Sequence, residues 1–315
     1  MEIGKFQVAL KDVARLAVLV VLLLGLLLVL TWAGVVKCNS IPGWCGVYES
    51  VFGKPKIAIV FGTDGLGDPT LLRQSLADPK LGVGVRPELI SINLISFGNL
   101  EPYDIVIVEH AATMTTEQMK AFRDYVVQKG GRLIWIADAG TKLGPKDSYL
   151  FKQERTGGVI EPGKEEIIGP WSRKTDTGEM VTFDELLGAN YVANYCSLKP
   201  CEEGKEPFIG KLVPTKDHPL VYGLSPYLQM RGDFAIVRDY GTGTRALSVD
   251  YESTIIDESK NIVEGPVFPL IIQSSVGGKI VYYAVPPETF VKETQTEKYY
   301  SIVQNMYLGI LGYVG

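Results

Sequence analysis

Residues 16–36 carry no charged side chain, and residues 16–30 are almost wholly Leu and Val. At about 1.5 Å per residue, a helix of this length reaches about 31 Å, close to the hydrocarbon core of a bilayer. Inside lipid every backbone N–H and C=O must be satisfied within the segment, which leaves a helix as the one open choice. A cleaved signal peptide has a shorter apolar core and a small-x-small site, and Thr31-Trp32-Ala33-Gly34 makes a poor one. A lipoprotein would need small residues before Cys38, where Val35-Val36-Lys37 stand instead. The expectation is an uncleaved transmembrane helix over 16–36, with Trp32 as an interfacial anchor and a signal peptide as the alternative. No second stretch approaches this length, so a single pass through the bilayer is expected.

The flanks set an expected orientation. Lys5, Lys11 and Arg15 precede the span and only Lys37 follows it closely, which puts residues 1–15 in the cytoplasm and the bulk of the chain outside the cell membrane. Residues 1–37 hold four of the 31 basic and two of the 36 acidic side chains, so the remainder carries a net −7. An acidic ectodomain argues against nucleic acid and against adhesion to an anionic surface. The four cysteines, Cys38, Cys45, Cys196 and Cys201, all follow the span, and an oxidising exterior makes two disulfides the natural reading. Local pairing, 38–45 and 196–201, is the simplest of three connectivities; a crossed one would staple the membrane-proximal segment to the domain. Zinc is the sharper alternative, but the spacings lack the usual C-x2-C knuckle.

Residues 37–54 read as an extracytoplasmic stalk or cap, and 55–315 as one α/β domain. Ile57-Ala58-Ile59-Val60-Phe61, residues 89–97, 104–109 and Leu133-Ile134-Trp135-Ile136-Ala137 are short apolar runs of the kind that form buried parallel strands. Asp68-Pro69 opens a helix between the first two. Thr115-x-x-Gln118 caps another, with Met119, Phe122, Tyr125 and Val126 on one face and Gly130-Gly131 at its end. This alternation predicts a mostly parallel sheet covered by helices on both faces. The pattern fades into an insertion at about 141–207, with a short helix over 182–188. Strand-type runs resume after Phe208, and a last helix is expected over about 294–312, with Tyr299, Ile302, Val303, Met306 and Ile310 on one face.

Three places at strand ends can carry chemistry, because α/β folds bind ligands there. Gly62-Thr63-Asp64-Gly65-Leu66-Gly67-Asp68 lacks the Walker lysine and the last glycine of a dinucleotide loop, so a plain turn into a helix outweighs a nucleotide site. Ile136-Ala137-Asp138-Ala139-Gly140, with Val285-Pro286-Pro287-Glu288 and Asp217-His218-Pro219-Leu220-Val221-Tyr222-Gly223-Leu224, resembles the class I glutamine amidotransferase-like superfamily, a flavodoxin-like sandwich. The resemblance implies that Asp138 stands at the nucleophilic cysteine and Pro286 at the catalytic histidine. Of the cysteine, histidine and glutamate of such a site, only Glu288 remains. Proline cannot relay a proton, so cysteine–histidine amidotransfer is not available. The third place is residues 217–224, whose H-P-x-x-x-G-L phrase the resemblance implies is a structural turn. A further candidate is a polar cluster of Asp64, His110 and Asp138, able to take a metal or polar ligand, although such residues more often cap helices and bond loop backbone.

The expected protein is thus a single-pass, membrane-anchored, catalytically inactive member of this superfamily, needing no cofactor. It would act as an extracytoplasmic binding or assembly module with a protein partner in the membrane or envelope. The alternative is a metal-dependent hydrolase or carbohydrate-modifying enzyme built on Asp64, His110 and Asp138, or on Asp138 and Glu288.

Overall fold

The computed structural model describes residues 3–32, 36, 41–145, 147–152, 166–167, 169–199, 201, 208–225, 228–250, 255–256, 262–264, 267–276, 279–294 and 297–313. The chain divides between Lys54 and Pro55 into two compact units. The first holds α1 (Ile3–Trp32) and α2 (Trp44–Phe52). Within α1, the 19 residues Val13–Thr31 have a mean hydropathy of 3.0 and none of them is buried. Among the described residues, this is the helix long and apolar enough to cross a membrane. The segment read as a stalk thus contains a helix. Cys45 is disulfide-bonded, and its expected pairing with Cys38 falls outside the described residues.

The second unit opens with β1 (Ile57–Asp64), whose first four residues are all buried. Asp68 then caps α3 (Pro69–Ala77), its carboxylate accepting from the amides of Thr70 and Leu71. The run expected as a strand over 89–97 is shorter: β2 (Glu88–Ser91) stops where the Ser91 hydroxyl accepts from Asn93 N. A serine that bonds its own following backbone competes with the ladder, and the chain turns into a 3-10 segment, Ile92–Leu94, and the short α4 (Phe97–Leu100). Next come β3 (Ile105–Ala111), β4 (Thr113–Met114) and α5 (Thr116–Asp124). Helix α5 has both reciprocal bonds of the expected capping box, and it continues through a π-turn, Tyr125–Lys129, to a left-handed Gly130. After β5 (Arg132–Ile136) and β6 (Lys142–Leu143), the insertion is built of two- and three-residue strands. These are β7 (Ser148–Tyr149), β8 (Phe151–Lys152), β9 (Glu166–Ile167), β10 (Ser172–Lys174) and β11 (Met180–Thr182). It continues through α6 (Phe183–Leu187), β12 (Ala189–Asn194) and α7 (Tyr195–Leu198). The remaining strands are β13 (Phe208–Pro214), β14 (Gln229–Arg231), β15 (Ala235–Asp239), β16 (Thr244–Asp250), β17 (Ile255–Ile256), β18 (Ile262–Glu264), β19 (Val267–Gln273) and β20 (Ile280–Tyr283). The expected last helix is present as α9 (Glu297–Leu308), and α8 (Pro287–Thr294), which the sequence reading did not include, precedes it.

Nine strands form one sheet in the order β14-β13-β16-β19-β20-β5-β3-β1-β2. From β20 to β2 every pairing is parallel; from β14 to β20 every pairing is antiparallel. The expected parallel sheet is therefore present as one half, and the strands after Phe208 extend it antiparallel. Strands β1, β3, β5 and β20 are buried residue after residue, so both faces need cover. Helices α3, α8 and α9 pack on one another, and α5 packs on both α4 and α6.

A candidate functional site at the parallel strand ends

The register places the carboxyl ends of β1, β3 and β5 side by side, and the expected residues Asp64, His110 and Asp138 lie at or just past them. Two non-glycine residues there hold a left-handed backbone, His110 (φ 49) and Ala137 (φ 51). Such positions cost free energy and persist where the surroundings over-determine them. Here the surroundings are hydrogen bonds.

Asp64 accepts from Thr113 N at 3.0 Å, Thr113 Oγ1 at 2.9 Å and Lys142 Nζ at 2.9 Å. Partial burial pushes this carboxyl up, but the bonds from Lys142 and Thr113 outweigh it and hold it below the usual range. Asp138 is buried and accepts from Leu66 N at 2.8 Å and Asn194 Nδ2 at 3.0 Å. His110 is half-buried, donates its backbone N–H to Leu66 O at 3.1 Å, and its buried Nδ1 has no hydrogen-bond partner. Among the described residues, no group of three or more His, Cys, Asp or Glu is placed to hold a metal ion. Asp64, His110 and Asp138 thus share a sheet edge, with the two carboxylates turned to separate loop contacts.

Beneath them lies a pair that carries more electrostatic stress. Glu109, at the end of the apolar run of β3, is fully buried, and Glu288, in the first turn of α8, is 2% exposed. Glu288 Oε1 accepts from Asp68 N at 2.8 Å. Among the described residues, neither oxygen of Glu109 nor Glu288 Oε2 meets a hydrogen-bond partner, and the two buried carboxyls act on each other electrostatically. Two unscreened anions are disfavoured in a low-dielectric site, so the protonated forms are favoured here. Burial pushes both up, Glu109 well above the carboxylate range and Glu288 to about 7. Gly67 closes over the pair: a Cβ there would stand 2.5 Å from Glu109 Cγ, on a backbone with φ +105.

The turn after β5, where the resemblance placed a nucleophile, is closed. Every residue from Ala137 to Thr141 is buried. The carbonyl of Ala137 accepts from Tyr282 OH at 2.9 Å, and that of Asp138 from Thr141 Oγ1 at 2.7 Å. Ala139 O accepts from two indoles, Trp135 and Trp171, each at 2.8 Å. Gly140 O accepts from Arg173, whose guanidinium also binds the carbonyls of Met114, Lys142 and Pro170. Burial pulls the Arg173 pKa down to about 10, which leaves it charged at neutral pH. Trp171 and Arg173 come from the insertion, so the segment that faded in the sequence is what seals the elbow. Its far end is fixed too. Asn194 reaches Asp138, and Cys196, bonded to Cys201 as expected, donates its amide to Asp233 Oδ1 at 2.8 Å.

Sequence reasoning did not single out Glu109, Trp171, Arg173 or Asn194. Glu109 had a signal: an acid that ends a strand buried on both faces must be protonated or paired. The other three are ordinary polar or aromatic residues in a stretch without periodicity. A surface groove of about 430 Å³ lies along α3, lined by Thr70, Arg73, Gln74, Ala77, Asp78 and Arg86, and by none of these strand-end residues.

No protein-family model matches the chain, and no curated protein matches it in sequence. Among solved structures, a ThuA-like protein of Bacteroides uniformis is similar over 80% of this chain and 89% of its own, with TM-score 0.48 and 15% identity. PurLQS from Thermotoga maritima is similar over 82% of this chain and 99% of its own, with TM-score 0.45 and 14% identity. A GMP synthase protein from Thermoplasma acidophilum is similar over 82% and 95%, with TM-score 0.42 and 12% identity. The structural neighbours thus include ThuA-like proteins, of the class I glutamine amidotransferase-like fold, and amidotransferase components. At such identities and TM-scores the likeness decides neither family nor activity.

Proposed function

We propose that this chain is a membrane-anchored, extracytoplasmic binding or assembly module that performs no amidotransfer, working as one component of an envelope complex. The observation that carries this reading is the sealed elbow: the turn after β5 is buried, and its four successive carbonyls are bonded by Tyr282, Thr141, the two indoles and Arg173. A nucleophile at position 138 would meet no substrate without removal of the insertion. The anchor and orientation are supported by the apolar window Val13–Thr31 and by Lys5, Lys11 and Arg15 before it. The Cys196–Cys201 disulfide supports an oxidising compartment. The metal-dependent alternative has less support, because Asp64 is bonded to Lys142 and Asp138 to Leu66 and Asn194. The test is isolation of the full chain from native membranes in mild detergent. A stoichiometric protein partner is expected; a lone chain that turns over a small molecule would refute the reading.

A further inference from the structure

Helix α2 carries an apolar face for which the protein offers little cover. Trp44, Val47, Tyr48, Val51 and Phe52 fall at i, i+3, i+4, i+7 and i+8, the spacing of one helical stripe. Gly46, Glu49 and Ser50 take the opposite side. Only Trp44 of the stripe is buried; Val47 is 47% exposed, Val51 58% and Phe52 53%. The Phe52 and Tyr48 rings meet tilted by 33° with centroids 4.8 Å apart, so the far half of the stripe is a small aromatic and aliphatic pad.

The position of this pad relative to α1, within the same unit, suggests what covers it. Trp44 Nε1 donates to Thr31 Oγ1 at 2.9 Å, and Thr31 Oγ1 in turn donates to Leu27 O at 2.8 Å. Thr31 is the last residue of the apolar window. The start of α2 is therefore tied to the level at which α1 leaves hydrocarbon, and Cys45 beside it is held in a disulfide. A helix of nine residues reaches about 13 Å, a length that suits the interface and is far too short to span it. Its stripe of Trp, Tyr, Phe and Val is the chemistry of the boundary between headgroups and acyl chains, and its polar side carries one charge, Glu49.

We propose that α2 lies in the outer membrane–water interface, with Val47, Val51 and Phe52 seated among the upper acyl chains. This inference rests on the reading of α1 as a membrane anchor. An upright stalk would hold Val51 in water, whereas an interfacial helix puts it in lipid.

The test places the photo-crosslinker p-benzoylphenylalanine singly at Val20, Ser50 or Val51 of the full chain, reconstituted in phosphatidylcholine vesicles. Lipid adducts at position 51 are expected within about twofold of those at position 20, and on the order of tenfold above those at position 50. Adducts at 20 but none at 51 would overturn the interfacial helix and leave the anchor standing. Crosslinking of position 51 to a second chain would overturn it in favour of a protein-covered face. Absence of lipid adducts at position 20 would overturn the anchor itself and the inference with it.

Discussion

Glu109 and Glu288 make the stability of the domain depend on pH in a direction opposite to that of a salt-bridged acid. Unfolded, each carboxyl titrates near 4.5; folded, the pair keeps its proton to higher pH, with Glu288 pushed up to about 7. Between these limits the native state binds more protons than the unfolded one, so stability falls as pH rises. The pair's contribution is complete below about pH 4.5 and is lost as pH climbs through about 7. Glu109→Gln keeps a donor for Glu288 and removes the proton that must be held. Its melting temperature should match the wild type near pH 5 and exceed it by a few degrees at about pH 8. An offset that is the same at both pH values would mean that the pair is not the titrating group. A second residue-scale test concerns Gly67, whose φ of +105 and closeness to Glu109 exclude a side chain. Gly67→Ala is expected to cost about 2–4 kcal/mol in a denaturant titration.

Elements were legible where their local chemistry agreed with their burial. The capping box at Thr115 and Gln118, the Asp68 cap and the apolar runs of β1, β3 and β5 were readable because each is dictated within a few residues of sequence. Strand β2 was overextended because apolar content does not reveal where Ser91 turns the backbone on itself. The insertion was illegible for a different reason. Strands β7, β10 and β11 are two or three residues long, too short for a period, and Arg173 on β10 is held by carbonyls that are distant in sequence. The second cysteine pair, by contrast, was readable from its short spacing taken with the expected oxidising exterior. Replacing Cys196 and Cys201 together by Ser removes a short closed loop, with an expected loss of about 2 kcal/mol. Amide exchange should quicken in β12 and α7 first, while β1, β3 and β5 stay protected. Uniform loss across the sheet would mean that the disulfide supports the whole domain instead of the insertion's end.

For the whole molecule, the uncharged run at residues 16–36 and the net −7 of the remainder were readable directly, and α1 supplies the expected helix, long and apolar enough to cross a membrane. The site was half-readable. The strand ends were legible as positions, but not the fact that the insertion closes the turn after β5. That depends on contacts such as Trp171 to Ala139, 32 residues apart, and Asn194 to Asp138, 56 apart. On this account Asp138 is a structural acceptor that holds the β1 loop and the insertion to one point. Ammonia release from glutamine by the full chain in detergent, compared between wild type and Asp138→Ala, tests this most directly. The account predicts no release from either protein, with Asp138→Ala destabilised by about 1–3 kcal/mol. Release by the wild type that Asp138→Ala abolishes, with no change in stability, would contradict it.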